Sequence, residues 1–203
     1  MNFITRIPLQ TSPEQAQRLL ALQERFAEVC NALSVVVQQT RIWNRVALHH
    51  LAYRKLRDQF PDFGSQMVCN AIYSVSRTSR LVFQSPDSPF SLNKLGNRPL
   101  PLMKFSGSCP VYFDRHTLSL KDGQLSLYTL DGRMRFNLSL RAEDELAFKE
   151  KKLREIVLSR RAQGLFELAF WLTDLNDANE PTEEPAPELN TKVPEYVFVE
   201  EVA

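Results

Sequence analysis

The sequence has little of what metals, disulfides and membranes require. Only three of its 203 residues are cysteine and three are histidine. Cys30, Cys69 and Cys109 stand about forty residues apart and form no C-x-x-C pair, so a zinc ribbon or finger is not expected. An odd, widely spaced set also argues against a secreted disulfide framework. His49 and His50 are adjacent, so on a helix they point about 100° apart, and neither they nor His116 have carboxylates at ligand spacing. Asp114 and His116 flank an arginine at a strand edge and do not make a nucleophile–base pair. No Gly-rich loop of the Walker or dinucleotide type is present, and no cofactor is expected. No apolar run approaches the roughly 20 residues of a membrane span. The opening MNFITRIPLQ has no signal-peptide core, so a cytoplasmic location is the expectation.

Charge is present but unevenly spread. The net charge is +1. Residues 173–203 hold nine acids (Asp174, Asp177, Glu180, Glu183, Glu184, Glu188, Glu195, Glu200, Glu201) against one base, Lys192, which leaves 24 bases and 15 acids, a net of +9, in residues 1–172. A basic body with an acidic tail suits a nucleic-acid binder with a solvating or self-masking segment, and equally a soluble domain with a disordered end.

The clearest local pattern is PVYFDRHTLSLKDGQLSLYTLDGRMRFNLSL, residues 110–140. Apolar and polar residues alternate there, broken twice by Asp-Gly, at Asp122-Gly123 and Asp131-Gly132. Asp-Gly between alternating runs signals a type I′ hairpin, so three strands in a meander are expected. In the last of them Met134, Phe136, Leu138 and Leu140 share one face, and Arg133, Arg135, Asn137 and Ser139 the other. Upstream, MNFITRIPL reads as a strand, and Ser12, Pro13 and Gln15 as a capping box opening a helix with apolar Leu19, Leu22, Phe26, Val29, Cys30 and Leu33. Helical signal continues to Phe60, with Ile42, Val46, His49 or His50, Tyr53 and Leu56 as its stripe. A third helix is expected from about Ser65 to Phe83, on Val68, Ile72, Val75 and Val82. RAEDELAFKEKK suits a short charged helix, and REIVLSRRAQGLFELAFWL a hairpin turning at Gln163-Gly164. Residues 176–194 are acidic, hold four prolines and bury too little to fold alone. The closing VPEYVFVEEVA reads as one more strand or a docking peptide. The expected class is α+β: a small antiparallel β-barrel (1–10 with 104–172), a helical insertion (11–85), a linker (86–103) and an acidic tail (173–203).

Three stretches resemble the N-terminal half of the TnpB (OrfB) family of transposon-encoded RNA-guided nucleases, relatives of the type V CRISPR effectors. They are FITRIPLQTSPEQAQRL, RIWNRVALHHLAYRKLRDQFPDFGSQMVCNAIYSV and YFDRHTLSLKDGQLSLYTLDGRMRFNL, collinear over about residues 1–172. The resemblance implies a wedge-like barrel and a helical recognition lobe that grip guide RNA, its heteroduplex with target DNA and a flanking DNA motif. The family's RuvC half, with acidic metal ligands and often a four-cysteine zinc insertion, is where the match ends. No Gly-x-Asp-x-Gly motif or cysteine cluster stands here. Binding without cleavage is therefore expected, with a RuvC-bearing chain as partner. A protein–protein adaptor that keeps the fold, and a truncated product, are the alternatives.

Candidate contacts follow. Arg133 and Arg135 offer guanidinium groups to phosphates. A second basic cluster comprises Lys149, Lys151, Lys152, Arg154, Arg160 and Arg161, with Lys104 before the meander. On the helices Arg41, Asn44, Arg45, Arg54, Gln66, Asn70, Arg77 and Arg80 are candidates for duplex contact, since Asn and Gln read adenine edges and Arg reads guanine or holds phosphate. Trp43 and Tyr53 suit core packing better than base stacking. The same positions would also serve as ordinary solvated faces.

Overall fold

A computed structural model describes residues 2–175 and 193–202. The chain divides into two compact units, Met1–Gln23 with Pro110–Glu180, and Glu24–Cys109 with Pro181–Ala203. The fold is α+β with antiparallel sheets. The expected barrel is not seen: the described strands fall into three sheets, and none closes on itself. Acidic residues 176–192, expected not to fold alone, lie outside the described residues.

In the first unit, β1 (Asn2–Pro8) pairs with β8 (Phe166–Asp174), from Asn2↔Thr173 to Pro8↔Glu167. Strand β8 also pairs with β7 (Lys151–Arg160), and β7 with β3 (Val111–Phe113), giving the order β1-β8-β7-β3. The early strand therefore joins the late hairpin as its spacing suggests, but β1 and β3 remain separate edges. Gln163 and Gly164 take positive φ (76° and 80°) in the β7–β8 turn. Central β8 is buried on both faces: Phe166, Leu168, Phe170 and Leu172 on one, Glu167 and Ala169 on the other. The buried Glu167 carboxylate is held by Arg6 at 3.4 Å and Arg161 at 2.6 Å, because a charge removed from water needs a partner.

The reading of 110–140 as three strands needs one correction. The first stretch breaks at Asp114, whose Oδ1 accepts from the backbone N–H groups of His116 (3.1 Å) and Thr117 (3.0 Å). This Asx turn sends β3 to the four-stranded sheet and leaves β4 (Leu118–Lys121), β5 (Gln124–Thr129) and β6 (Gly132–Asn137) as the meander. Asp122 (φ 51°) and Gly123 (φ 76°) make the expected tight turn. At the second Asp-Gly only Gly132 (φ 99°) is left-handed, as in a type I turn closed by a glycine bulge. Arg18 on α1 (Pro13–Thr40) donates to Thr129 Oγ1 at 2.7 Å and to the Asp131 and Gly132 carbonyls at 3.3 and 3.4 Å, fixing that turn. The α1 start is the expected capping box, Gln15 N–H to Ser12 Oγ at 3.2 Å and Ser12 N–H to Gln15 Oε1 at 3.0 Å. Helix α5 (Ala142–Glu150) precedes β7.

In the second unit α1 ends at Thr40, and Arg41 takes φ 56°, so the helix does not run on to Phe60. Helix α2 (Arg45–Gln59) starts afresh on Asn44, whose Oδ1 accepts from the Val46 and Ala47 N–H groups at 3.0 and 3.2 Å. Its buried face is Leu48, Ala52 and Leu56. The expected stripe is therefore rotated: Val46 is 64% exposed. The restart at Asn44 resets the helical phase. Helix α3 (Ser65–Ser79) continues into a π turn, Arg80–Gln84, and buries Val68, Ile72, Val75 and Val82. The expected linker 86–103 is folded, with the one-turn α4 (Leu92–Leu95) and buried Ser88, Ser91, Leu95 and Leu100. The closing residues form β9 (Val197–Glu200), antiparallel to β2 (Leu102–Phe105) of the same chain. Asn31 on α1 occupies both backbone groups of Phe105, donating to its carbonyl at 3.1 Å and accepting its N–H at 2.7 Å.

Candidate nucleic-acid interface

The meander sorts its side chains by parity. Leu118, Leu125, Leu127, Met134 and Phe136 are buried on one face. Cross-strand register then aligns Ser119, Ser126 and Arg135 in one row and Lys121, Gln124 and Asn137 in the next, with Tyr128 opposite Arg133. These rows line a half-open cavity of about 760 Å³ that includes Lys121, Gln124, Ser126, Arg133, Arg135 and Asn137. Three cations and two carboxamides thus converge on one concave surface, with Asp122 the one acid among its described lining residues.

The two expected arginines are held differently. Arg133 donates from Nε to Ser126 Oγ at 2.7 Å, from Nη2 to the Ser126 carbonyl at 3.0 Å, and from Nη1 to the His116 carbonyl at 3.4 Å. Its guanidinium is fixed in place by these bonds, which use three of its five N–H groups. The exposed Arg135 side chain makes no hydrogen bond or ion pair among the described residues. Composition and charge runs do not mark Lys121, Gln124 and Ser126; their signal is the period-2 register across the Asp122-Gly123 turn.

In the second basic cluster three of the cations are already engaged. Lys151 is paired with Asp174 at 2.6 Å and lies 3.8 Å above the Phe3 ring. That bond holds the Asp174 carboxyl below the usual aspartate range. Arg154 donates to Thr173 Oγ1 at 3.1 Å, and Arg161 neutralises Glu167. Lys149, Lys152 and Arg160 are exposed, with no side-chain bond among the described residues.

In the second unit the helical candidates scatter. Asn70 and Arg77, both on α3, are buried, each 8% exposed. Gln66 and Arg80 are half-buried. Asn44 is spent as the α2 cap. Arg45 packs its guanidinium 5.2 Å from the Tyr73 ring centroid. Arg41 and Arg54 are exposed, and Lys104 is paired with Glu200. Trp43 is buried against Phe83, with ring centroids 5.4 Å apart, and Tyr53 stacks on His49 at 4.6 Å.

Among the described residues no group of three or more His, Cys, Asp or Glu side chains could hold a metal ion, and no helix is long and apolar enough to cross a membrane. Neither a scan against protein-family models nor a search of curated proteins finds a match to the sequence.

Proposed function

We propose that this chain is a noncatalytic nucleic-acid-binding protein, comparable to the guide-RNA and target-recognition half of a TnpB-like or type V effector, and that it acts with a RuvC-bearing partner. The observation that carries this reading is the polar face of the meander, where Lys121, Arg133 and Arg135 converge on one cavity with Gln124 and Asn137. Arginine forks and lysines there hold phosphates, while the carboxamides offer hydrogen bonds to bases and sugars. The work is electrostatic, so the affinity belongs to the phosphates and must depend on salt.

Titration of a structured RNA at several salt concentrations tests it. A footprint of about six to ten phosphates weakens binding by roughly 10³–10⁵ between about 50 and 200 mM salt on a duplex-like ligand. The double variant Arg133→Ala, Arg135→Ala should flatten the log–log salt slope by about 1–2 units while circular dichroism stays unchanged. The RNA should be recovered intact in Mg²⁺. An unchanged slope removes this face as the RNA surface, and divalent-dependent cutting by stringently purified protein removes the noncatalytic reading. The other reading, a protein–protein adaptor, rests on Phe198, which is 69% exposed on the terminal strand. It is favoured if RNA affinity is weak and indifferent to salt.

A further inference from the structure

A second cavity, of about 670 Å³, lies on the other side of β4 and differs in kind. Its walls are apolar: Leu118 and Leu120 of β4, Ile156 of β7, Phe170 and Leu172 of β8, and Phe148 of α5. Phe148 is held edge-on against Phe170, with ring centroids 5.0 Å apart and planes at 85°. Phe170 is buried, whereas Phe148 is only half-buried and borders the cavity. Its charged lining residues are Arg115, Lys121, Lys149 and Lys151 together with Asp122 and Glu145.

The two cavities meet. Ser119, Lys121 and Asp122 line both, at the end of β4 beside the tight turn. Strand β4 is an edge of the meander, so a chain lying on the polar face reaches the apolar cavity by turning around one strand. We propose that the apolar cavity receives a single unpaired nucleobase of an RNA whose flanking phosphates lie on the polar face, with Phe148 as the stacking ring. This rests on the proposed nucleic-acid function and names the element of the ligand that the site selects: an unstacked base in a loop, bulge or single strand.

The continuity of the two cavities through Ser119, Lys121 and Asp122 favours a base over a fatty acid, the other occupant that an apolar cavity with a basic mouth suggests. A fatty acid would use only the apolar cavity and one of its cations, whereas a nucleotide chain uses both surfaces. A base presents exocyclic amino and imino donors that the Asp122 and Glu145 carboxylates accept, and its flanking phosphate meets Lys121 and Lys149. The volume falls within the usual range for small-ligand sites.

The test uses the full chain and a short single-stranded RNA carrying 2-aminopurine at one position, moved along the strand in a series. A blunt RNA duplex of the same length is the control. Binding should raise the 2-aminopurine fluorescence or shift its lifetime at one position, and leave its neighbours near their free values. Phe148→Ala should weaken single-strand binding by about 5- to 150-fold, the equivalent of about 1–3 kcal/mol of base–aromatic stacking, and leave duplex binding within about twofold. Phe148→Trp should restore it, which separates stacking from a folding defect. If single-strand and duplex RNA bind with steep salt dependence but no position responds and Phe148→Ala is neutral, the base site is wrong and the nucleic-acid reading stands. If neither RNA binds, both fall. Displacement of the bound RNA by micellar or monomeric fatty acid, with no 2-aminopurine response, would assign the cavity to an amphiphile instead.

Discussion

The meander of the first unit and helix α3 of the second use polar side chains in opposite ways. In the meander of the first unit, long polar residues stand out from a sheet whose other face makes the core, and Lys121, Gln124, Arg135 and Asn137 remain available at the surface. In helix α3 of the second unit, polar residues are turned inward. Ser74, Ser76, Thr78 and Ser79 of α3 are each at most 1% exposed, and Asn70 and Arg77 are buried beside them. Ser79 Oγ donates to the Val75 carbonyl at 2.7 Å, and Thr78 Oγ1 lies 3.3 Å from the Tyr196 hydroxyl. A strand face can therefore be assigned from alternation alone. A helix with polar residues on most of its circumference cannot, because its small hydroxyls are buried with partners that no local pattern names: Ser79 bonds within the helix, Thr78 meets Tyr196, and Ser76 Oγ has no hydrogen-bond partner among the described residues.

The largest effect should come from the core of the second unit. Phe26 is fully buried and meets Phe63 edge-on at 6.4 Å. Phe26→Ala should cost about 3–5 kcal/mol in urea unfolding. Hydrogen exchange locates the damage: α2 and α3 should lose protection well before β7 and β8. Equal loss in both would mean that the two units unfold as one cooperative block, and the division between them would lose its energetic meaning.

How much was legible follows the same division. The capping box at Ser12, the hairpin at Gln163-Gly164 and the parity of Arg133 to Phe136 rest on short-range rules, and the structure repeats them. Three features depended on distant partners. Val111–Phe113 left the meander because β7 offered an edge. Lys104 and the terminal strand are both absorbed by the β2–β9 pair: the closing residues read as a strand or a docking peptide, and which of the two depends on β2, a partner about ninety residues away. Closure into a barrel depends on strand tilt and stagger around a whole sheet, which no local pattern encodes. The polar cavity was half legible: its arginines were, but Lys121 and Gln124 needed the register.

A second, smaller effect concerns alkaline pH. Burial pushes the Cys109 thiol up to about 12 from an ordinary 9.0, and pushes Cys30 and the Tyr196 phenol up as well. A raised acid stays protonated in the folded chain while the unfolded chain has released its proton. Stability contributed in this way is complete below pH 9 and falls as pH rises towards about 12, by up to about 1.4 kcal/mol per pH unit for each such group. Urea midpoints measured from pH 8 upward should fall, and less steeply in Cys109→Ala than in the parent. Equal slopes would show that the Cys109 thiol is more accessible than its burial indicates. In the native protein at neutral pH, Cys30 and Cys109 should also resist alkylation, since the reactive thiolate is suppressed.

The smallest effect gives the finest test of the contrast, because it concerns a residue whose type suits either use. Asn44 stands among basic, exposed side chains, Arg41 and Arg45, and its carboxamide is of the kind that reads adenine edges. Its Oδ1 is instead committed to two backbone N–H groups at the start of α2, which no intrahelical carbonyl can satisfy. Asn44→Ala should therefore lower stability by about 1 kcal/mol, and Asn44→Asp or Asn44→Ser should recover most of it, since both supply a capping oxygen. RNA affinity should follow none of these changes once the fraction folded is accounted for. The opposite pattern, with Asn44→Ser stable but weaker on RNA by about tenfold, would assign the carboxamide to base reading. It would place a ligand surface on α2, and the inward use of polar side chains would then hold for α3 alone.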